Sequence, residues 1–339
     1  MSLLTYLHRV AGAEDLSAEE AYHAMTALLE GDAGESVIAG FLVALEMKGN
    51  TAPELTGFAR AMRGQMIRVD AGVDVVDTCG TGGDGSGTFN ISTIAALVMA
   101  GAGARVAKHG NRSLSSRAGS ADVFEALGVR IAMTPEEVAG AIREIGIGFL
   151  FAPDLHPAMR FAQPVRRELK IRTVFNLLGP LANPAGARRQ LIGAPSLKAA
   201  GLMAHALAEL DTERVFVVHG RDGLDEITTT GATDVWEVYG NRVERHVWTP
   251  ECFGMPQSGP ESLMGGDAKC NAEIARRILA GQAGPMRDIV LMNAAAGLVA
   301  AGIAADLREG IHAAARAVDS GAAAGKLERL KQSLPHLAS

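Results

Sequence analysis

The stretch DTCGTGGDGSGTFNIST, Asp77 to Thr93, lies between an apolar run at Val73 to Val76 and an Ala/Leu/Val/Met helical pattern beginning at Ile94. That order predicts a strand, a glycine-rich loop and a helix. Gly80, Gly82, Gly83, Gly85 and Gly87 permit positive φ and remove side chains, so successive backbone N–H groups can turn toward one anion. Asn90, Ser92 and Thr93 are helix-capping types, and a helix N-terminus adds unpaired N–H groups and the positive end of its dipole. The physical reading is a cradle for phosphate or pyrophosphate, with Thr81 and Thr88 adding hydroxyls that an idle turn does not need.

Gly80, Gly82 and Gly85 also satisfy the G-x-G-x-x-G spacing of dinucleotide-binding loops. A dinucleotide site calls for an acid at the end of the following strand, whereas the next apolar run, Ala104 to Ala107, leads into Lys108 and His109. A phosphate-loop NTPase needs G-x-x-x-x-G-K-[ST], and this loop has no lysine. The bland alternative is a flexible turn without a ligand.

At 339 residues the chain suits about two domains. With 48% hydrophobic but only 4% aromatic residues, its core is built from Ala, Val, Leu, Ile and Met. The net charge of −6 gives no global basic field for a polyanion, so nucleic acid is not expected and any cation serving phosphate is local. Cys79, Cys252 and Cys270 are isolated, which argues against a disulfide framework or zinc site and for a reducing cytoplasm. No apolar run approaches the ~18 residues of a membrane span and no secretory leader pattern is present, so no membrane is expected as a partner.

Residues 1 to 70 carry three or four amphipathic helical patterns without a convincing strand. Ser17 with Glu20 and Thr51 with Glu54 are capping-box pairs. Between them, Val37, Ile38, Phe41, Leu42, Ala44 and Leu45 form a broad apolar stripe, read as core with a dimer contact as the alternative. From Val73 the pattern alternates: strands at Val73 to Val76, Ala104 to Ala107, Val129 to Ala132 and Ile147 to Phe151, with helices from Asn90, Ser120 and Thr134. Such alternation argues for a parallel sheet, with ligands at the carboxyl ends of its strands. Residues 152 to 190, rich in Pro, Arg and Asn, read as a passage between domains. A helix at Leu197 to Leu210, a strand at Val215 to Val218, a hairpin turning at Gly240 and Asn241, and Ala-rich helices from about Asn271 follow, without an internal repeat.

Two further constellations bear on chemistry. Lys108-His109-Gly110-Asn111-Arg112, followed by Ser113, Ser115, Ser116, Arg117 and Gly119-Ser120, brings cations, amides and hydroxyls to the end of the second strand, beside the first loop. A solvated polar loop is the alternative. His109 and His219 are candidate bases, but lone histidines are more often structural and neither is assigned that role. Asp225 and Glu226, adjacent carboxylates after the strand that ends near His219, suit a hard cation such as Mg²⁺ that also binds substrate phosphates. Unaided, two acids on a surface turn would be the better reading.

Taken together, Gly80-Thr81-Gly82-Gly83-Asp84, Asn90-Ile91-Ser92-Thr93, Lys108-His109-Gly110-Asn111-Arg112, Gly119-Ser120-Ala121-Asp122, Arg172-Thr173-Val174-Phe175-Asn176-Leu177-Leu178-Gly179-Pro180 and Asp222-Gly223-Leu224-Asp225-Glu226 resemble the anthranilate phosphoribosyltransferases of tryptophan biosynthesis. The match runs in order along nearly the whole chain. It implies an α/β protein with a small N-terminal helical domain, residues 1–70 with part of 166–190 packing back on it. A larger α/β domain, 71–165 and 191–339, would carry a mostly parallel central sheet. The resemblance also implies a homodimer formed through the helical part, the substrates phosphoribosyl pyrophosphate and anthranilate, and two Mg²⁺ per site. On this reading phosphoribosyl pyrophosphate is held by Gly80, Gly83, Asp84, Thr88, Asn90, Ile91, Ser92 and Thr93, and by Lys108, His109, Gly110, Asn111, Arg112, Ser113, Leu114, Ser115, Ser116 and Ser120. Gly80, Asn111 and Arg166 match positions that contact anthranilate, while Ser92, Asp225 and Glu226 match metal positions. Thr229 to Phe253 resemble the family only loosely. The alternatives are a pyrimidine nucleoside phosphorylase of the same fold and a non-catalytic, nucleic-acid-binding relative.

Overall fold

The computed structural model describes residues 2–82, 85–113 and 117–332. Gly83, Asp84, Leu114, Ser115 and Ser116 lie outside the described residues. Helices Leu3–Ala11, Ala18–Glu30, Glu35–Lys48 and Ala52–Gln65 come first. Both expected capping boxes form: Ser17 N donates to Glu20 at 2.9 Å and Thr51 N to Glu54 at 2.8 Å, with each hydroxyl accepting from the glutamate's own N–H. Within the apolar stripe Ile38, Phe41, Leu42 and Leu45 are buried, while Val37 and Ala44 are half-buried. Gly57 lets two of these helices touch, since a Cβ there would stand 2.1 Å from the Ala18 carbonyl.

The sheet has seven strands: β1 Val76–Gly80, β2 Val106–Gly110, β3 Ile147–Phe151, β4 Arg189–Gly193, β5 Arg214–Gly220, β6 Thr233–Tyr239 and β7 Arg242–Trp248. Their order is β3-β2-β1-β4-β5-β6-β7, parallel from β3 through β5, with β6 and β7 antiparallel at one edge. Along β4 and β5 alternate side chains enter two different cores. Leu191, Phe216 and Val218 join helices Ile91–Gly101 and Pro285–Ala300 on one face. Ile192, Val215 and Val217 share the other face with helix Leu197–Ala208, the N-terminal helices, and Val165, Val174 and Phe175.

Several expected boundaries are corrected. The first two strands begin later than Val73 and Ala104 and run on through Asp77-Thr78-Cys79 and Lys108-His109. These polar residues are taken into the sheet because the fold satisfies them: Asp77, fully buried, accepts from His109 N at 3.2 Å and from Asn183 Nδ2 at 2.8 Å. Val129 to Ala132 is not a strand. Val129, Ile131 and Met133 are buried while Arg130 and Ala132 are exposed, the alternation of a strand, yet the segment joins none of the seven and links helices Ser120–Ala126 and Pro135–Glu144. In the opposite sense β4 was not expected, although it pairs with β1 and β5 at the centre of the sheet. Its Arg189-Gln190-Leu191-Ile192-Gly193 carries too short an apolar run to stand out. Helix Leu197–Ala208 stops two residues short of the expected Leu210, and the expected hairpin forms across Gly240 and Asn241. No helix among the described residues is long and apolar enough to cross a membrane.

Candidate active site

Chain connections diverge between β1 and β4: β1 leads on to β2 and β3 on one side, while β5 lies on the other. In such a sheet the crevice opens outside the carboxyl ends of those two strands. Both end in glycine, Gly80 and Gly193, and Thr81 N donates to Gly193 O at 3.0 Å. Asp225 fills the space this leaves. A Cβ on Gly80 would lie 2.6 Å from Asp225 Oδ2, and one on Gly193 only 1.7 Å from the Asp225 carbonyl. Neither glycine can take a side chain without moving the Asp225 loop.

That loop is held from within its own motif and from a distant helix. Asp222 accepts from Leu224 N at 3.2 Å and from Thr228 Oγ1 at 2.6 Å, closing the turn. Asn293, fully buried in helix Pro285–Ala300, accepts from Ile227 N at 3.0 Å and donates to Ile227 O at 2.9 Å. The carboxylates thus placed reach the glycine loop: Gly82 N donates to Asp225 Oδ2 at 3.0 Å, and Ser92 N to Glu226 Oε1 at 3.1 Å. In the loop Gly82, Gly85 and Gly87 adopt φ of 66°, 77° and 71°, the left-handed region that glycine enters without strain.

Asn90 occupies the cap position of helix Ile91–Gly101, but its side chain does not cap. It is turned aside, donating to Ala118 O at 3.1 Å and accepting from Asn271 Nδ2 at 2.8 Å. Glu226, distant in sequence, takes one of the helix's first N–H groups instead. Thr93 and Ile91 are buried, so Ile91 offers only backbone to a ligand. Thr88 meets Met264 in an isolated antiparallel bridge, and Gly265 N donates to Gly87 O at 2.9 Å, which ties the loop to the segment before helix Ala268–Leu279.

The second polar run divides between strand and loop. Lys108 is 2% exposed and donates to the Thr78 carbonyl. Gly110 lies against the next helix, with Ser120 Oγ donating to Asn111 O at 3.4 Å. Arg112 is engaged by Asp122 at 3.0 Å and by both oxygens of Glu125, an exposed ion-pair cluster that turns part of its charge away from the cleft. Burial raises the Asp77 carboxyl above its ordinary range, against the Lys108 charge, and raises the Cys79 thiol as well.

The passage between β3 and β4 forms the opposite wall. Helix Gln163–Leu169 presents Arg166, whose guanidinium lies 5.3 Å from the centre of the Phe175 ring; burial lowers its pKa. His156 follows the short helix Ala152–Leu155, and Arg172 reaches across to Gly82 O at 3.3 Å. Asn183 donates to both Asp77 and Ala107 O. Every described residue assigned to phosphoribosyl pyrophosphate, anthranilate or metal, from Gly80 through Ser120 and with Arg166, Asp225 and Glu226, borders one cavity of about 880 Å³. Sequence reasoning missed Asn271, which borders the cavity beside Asn90, and His156, which borders it from the passage, together with Asn183 behind Asp77 and Asn293 behind the Asp225 loop. An isolated Asn or His carries no pattern, so no signal could have found them. His219, a candidate base, lies in β5 with its Nδ1 3.0 Å from Ala194 O, outside the cavity lining.

The same architecture occurs in known proteins. Residues 4–66 match the model of the helical bundle domain of a glycosyl transferase family, and residues 72–324 match its a/b domain. The chain is 59% identical to the anthranilate phosphoribosyltransferase of Solibacter usitatus, over 97% of this chain and 98% of that one. A crystal structure of the enzyme from Thermus thermophilus superposes with a TM-score of 0.92 at 46% identity, covering 98% of this chain and 99% of that one. The Saccharomyces cerevisiae enzyme in complex with phosphoribosyl pyrophosphate (PRPP) and Mg gives 0.89 at 29%, covering 98% and 97%.

Proposed function

The chain belongs to the anthranilate phosphoribosyltransferases of this glycosyl transferase family, and we propose how its own residues carry out the transfer. The reaction moves the 5-phosphoribosyl group of phosphoribosyl pyrophosphate to the amine of anthranilate, releasing pyrophosphate, in tryptophan biosynthesis. The observation that carries the residue assignment is the convergence of Asp225 and Glu226, from beyond β5, on the glycine loop and the start of helix Ile91–Gly101, with Arg166 on the facing wall of the same cavity.

In this reading the diphosphate lies along the loop of Gly80, Thr88 and Asn90 to Thr93, where backbone N–H groups and a helix N-terminus face anionic oxygens. Ser113 and Ser120 extend that wall. Ser92, Asp225 and Glu226 supply a hydroxyl and two carboxylates, a hard oxygen set that suits Mg²⁺, here two ions per site. The rest of the shell of such an ion would come from substrate phosphates and water. When bound, Mg²⁺ neutralises charge on the departing pyrophosphate. Lys108, buried beneath the cleft, adds fixed positive charge in a low-dielectric place where it acts strongly. Arg166 pairs with the anthranilate carboxylate, Asn111 and Gly80 border the ring, and the amine is thereby held toward the ribosyl carbon. No covalent intermediate with the protein is needed.

The same reading covers the organisation of the chain. Residues 1–70, with part of 166–190, form a helical unit beside an α/β unit of 71–165 and 191–339. Leu4 and Met47, 44% and 83% exposed on helices Leu3–Ala11 and Glu35–Lys48, support pairing of two copies through the helical unit, and the free cysteines Cys79, Cys252 and Cys270 suit a reducing cytoplasm. Sedimentation of the purified protein tests the dimer. The assay for the whole reading is loss of anthranilate fluorescence on adding phosphoribosyl pyrophosphate and Mg²⁺. Turnover requiring all three is expected, and folded protein that turns over none refutes the assignment.

A further inference from the structure

Asn271, in helix Ala268–Leu279, is 2% exposed at the edge of the cavity, and both ends of its amide are engaged. Its Oδ1 accepts from Gly266 N at 2.8 Å, and its Nδ2 donates to Asn90 Oδ1 at 2.8 Å. Asn90 Nδ2 in turn donates to Ala118 O at 3.1 Å. The two ends of this chain fix its direction. A backbone N–H can only donate, so the Asn271 atom beside Gly266 is its oxygen; a carbonyl can only accept, so the Asn90 atom beside Ala118 is its nitrogen. No other orientation of the two amides satisfies all three contacts.

Three segments meet through this chain. Leu263 to Gly266 form a strap laid along the end of the glycine loop: Phe89 N donates to Leu263 O at 3.3 Å and Gly265 N to Gly87 O at 2.9 Å. The approach is close, since a Cβ on Gly265 would stand 2.5 Å from Phe89 N. Asn90 begins helix Ile91–Gly101, and Ala118 lies just before Gly119, the cap of helix Ser120–Ala126. Asn271 therefore joins the strap to the first polar loop and, through Asn90, the first loop to the second. Each amide NH₂ carries two hydrogens, so Asn90, which borders the cavity, has one to spare.

We propose that Asn271 is a positioning residue for the phosphoribosyl donor, an inference that rests on the transferase reading above. It holds the Asn90 amide so that the second Nδ2–H meets an anionic oxygen of phosphoribosyl pyrophosphate, and it keeps the two loops at a fixed separation. An Asn90 amide turned over would present a lone pair to that oxygen and repel it. The effect of Asn271 passes through Asn90 rather than through contact with substrate.

The test is a double-mutant cycle read by calorimetric titration of phosphoribosyl pyrophosphate, with Mg²⁺ and without anthranilate. Asn271→Asp keeps the shape and the acceptor for Gly266 N but cannot donate to Asn90, so affinity should fall about 10-fold, the equivalent of one lost hydrogen bond. In an Asn90→Ala background the same substitution should cost less than about twofold. In turnover, Asn271→Asp should raise KM for phosphoribosyl pyrophosphate and change kcat and KM for anthranilate little. Wild-type affinity in Asn271→Asp overturns the proposal. An equal loss in both backgrounds also overturns it, because the added charge or a loosened fold would then act without Asn90. Where Asn271→Asp does not fold, Asn271→Ala carries the same cycle, with thermal melts verifying the folded state. If the wild-type protein binds phosphoribosyl pyrophosphate and consumes anthranilate while the cycle shows no coupling, only the positioning role falls; if it does neither, the transferase reading falls with it.

Discussion

The two walls of the cavity are built in opposite ways. On the glycine-loop wall, contacts are made largely by backbone at positive-φ turns and strand ends, and functional groups are adjacent in sequence: Asn90 to Thr93, Lys108 to Ser113, Asp225 with Glu226. On the passage wall, short helices and turns between Ala152 and Leu181 deliver single side chains, His156 and Arg166, and Asn183 follows them from beneath. The first wall needs a local conformation and so leaves a motif. The second needs mainly that particular side chains arrive at the right place, which many sequences can achieve; its one motif, Arg172 to Pro180, contains neither His156 nor Arg166.

Substitutions on each wall test this difference. The largest effect is expected from Asp225→Asn with Glu226→Gln, which keeps shape and the bonds from Gly82 N and Ser92 N while removing two charges from the proposed metal site. Loss of charge stabilisation worth several kcal/mol should lower the maximal rate on the order of 10²-fold or more. Added Mg²⁺ should restore part of it, and thermal melts should barely move. Superimposable Mg²⁺ titrations of initial rate would break the assignment of this wall.

Arg166→Ala addresses the passage wall. Removing a charge-assisted pair worth ~1.5–3 kcal/mol should raise the Michaelis constant for anthranilate about 10- to 100-fold. The constant for phosphoribosyl pyrophosphate should change much less, and equal changes in both would mean that the two walls do not divide the substrates.

Asn183→Ala asks whether this wall also stabilises the other. Its loss deprives Asp77 and the Ala107 carbonyl of a donor, two groups with no access to water. The expected cost is ~1–3 kcal/mol, read from denaturant midpoints. An unchanged midpoint would show that the buried carboxyl does not depend on the passage.

The smallest effect concerns pH. Unfolded imidazoles bind a proton below about 6.5, whereas His109 and His156 in the folded chain do so only near 3 and 4. Between those values the unfolded state holds more protons, so stability is complete above the unfolded pKa and falls as pH drops through this window, by about 1.4 kcal/mol per pH unit for each ring. His156→Gln should reduce the slope of stability against pH by about one such increment. Parallel slopes for variant and wild type would place the acid sensitivity elsewhere.

The history of individual residues shows where sequence reasoning stopped. The capping boxes at Ser17 and Thr51, the hairpin at Gly240 and the glycine loop were all legible, because each is decided by neighbours within a few residues. Val129 to Ala132 has the alternation of a strand but lies outside the sheet, whereas β4, with a weak pattern, is paired on both sides. Strand identity belongs to the partner as much as to the segment. Asn90 makes the same point at the site: it has the composition of a cap, but Asn271 and Ala118 claim its side chain and Glu226 takes the N–H nearby.

By itself the sequence determined the chemistry on offer, since residue type and local φ are enough to make an anion cradle, a pair of hard carboxylates and a planar cation at Arg166. Only the tertiary structure decided which of these meet. Gly80 and Gly193 leave room for Asp225 only because β1 and β4 are neighbours, and His109 meets His156 only because the passage folds back over β2. Such contacts depend on distances between segments far apart in the chain, set by the packing of two cores on opposite faces of one sheet, and no local pattern records them.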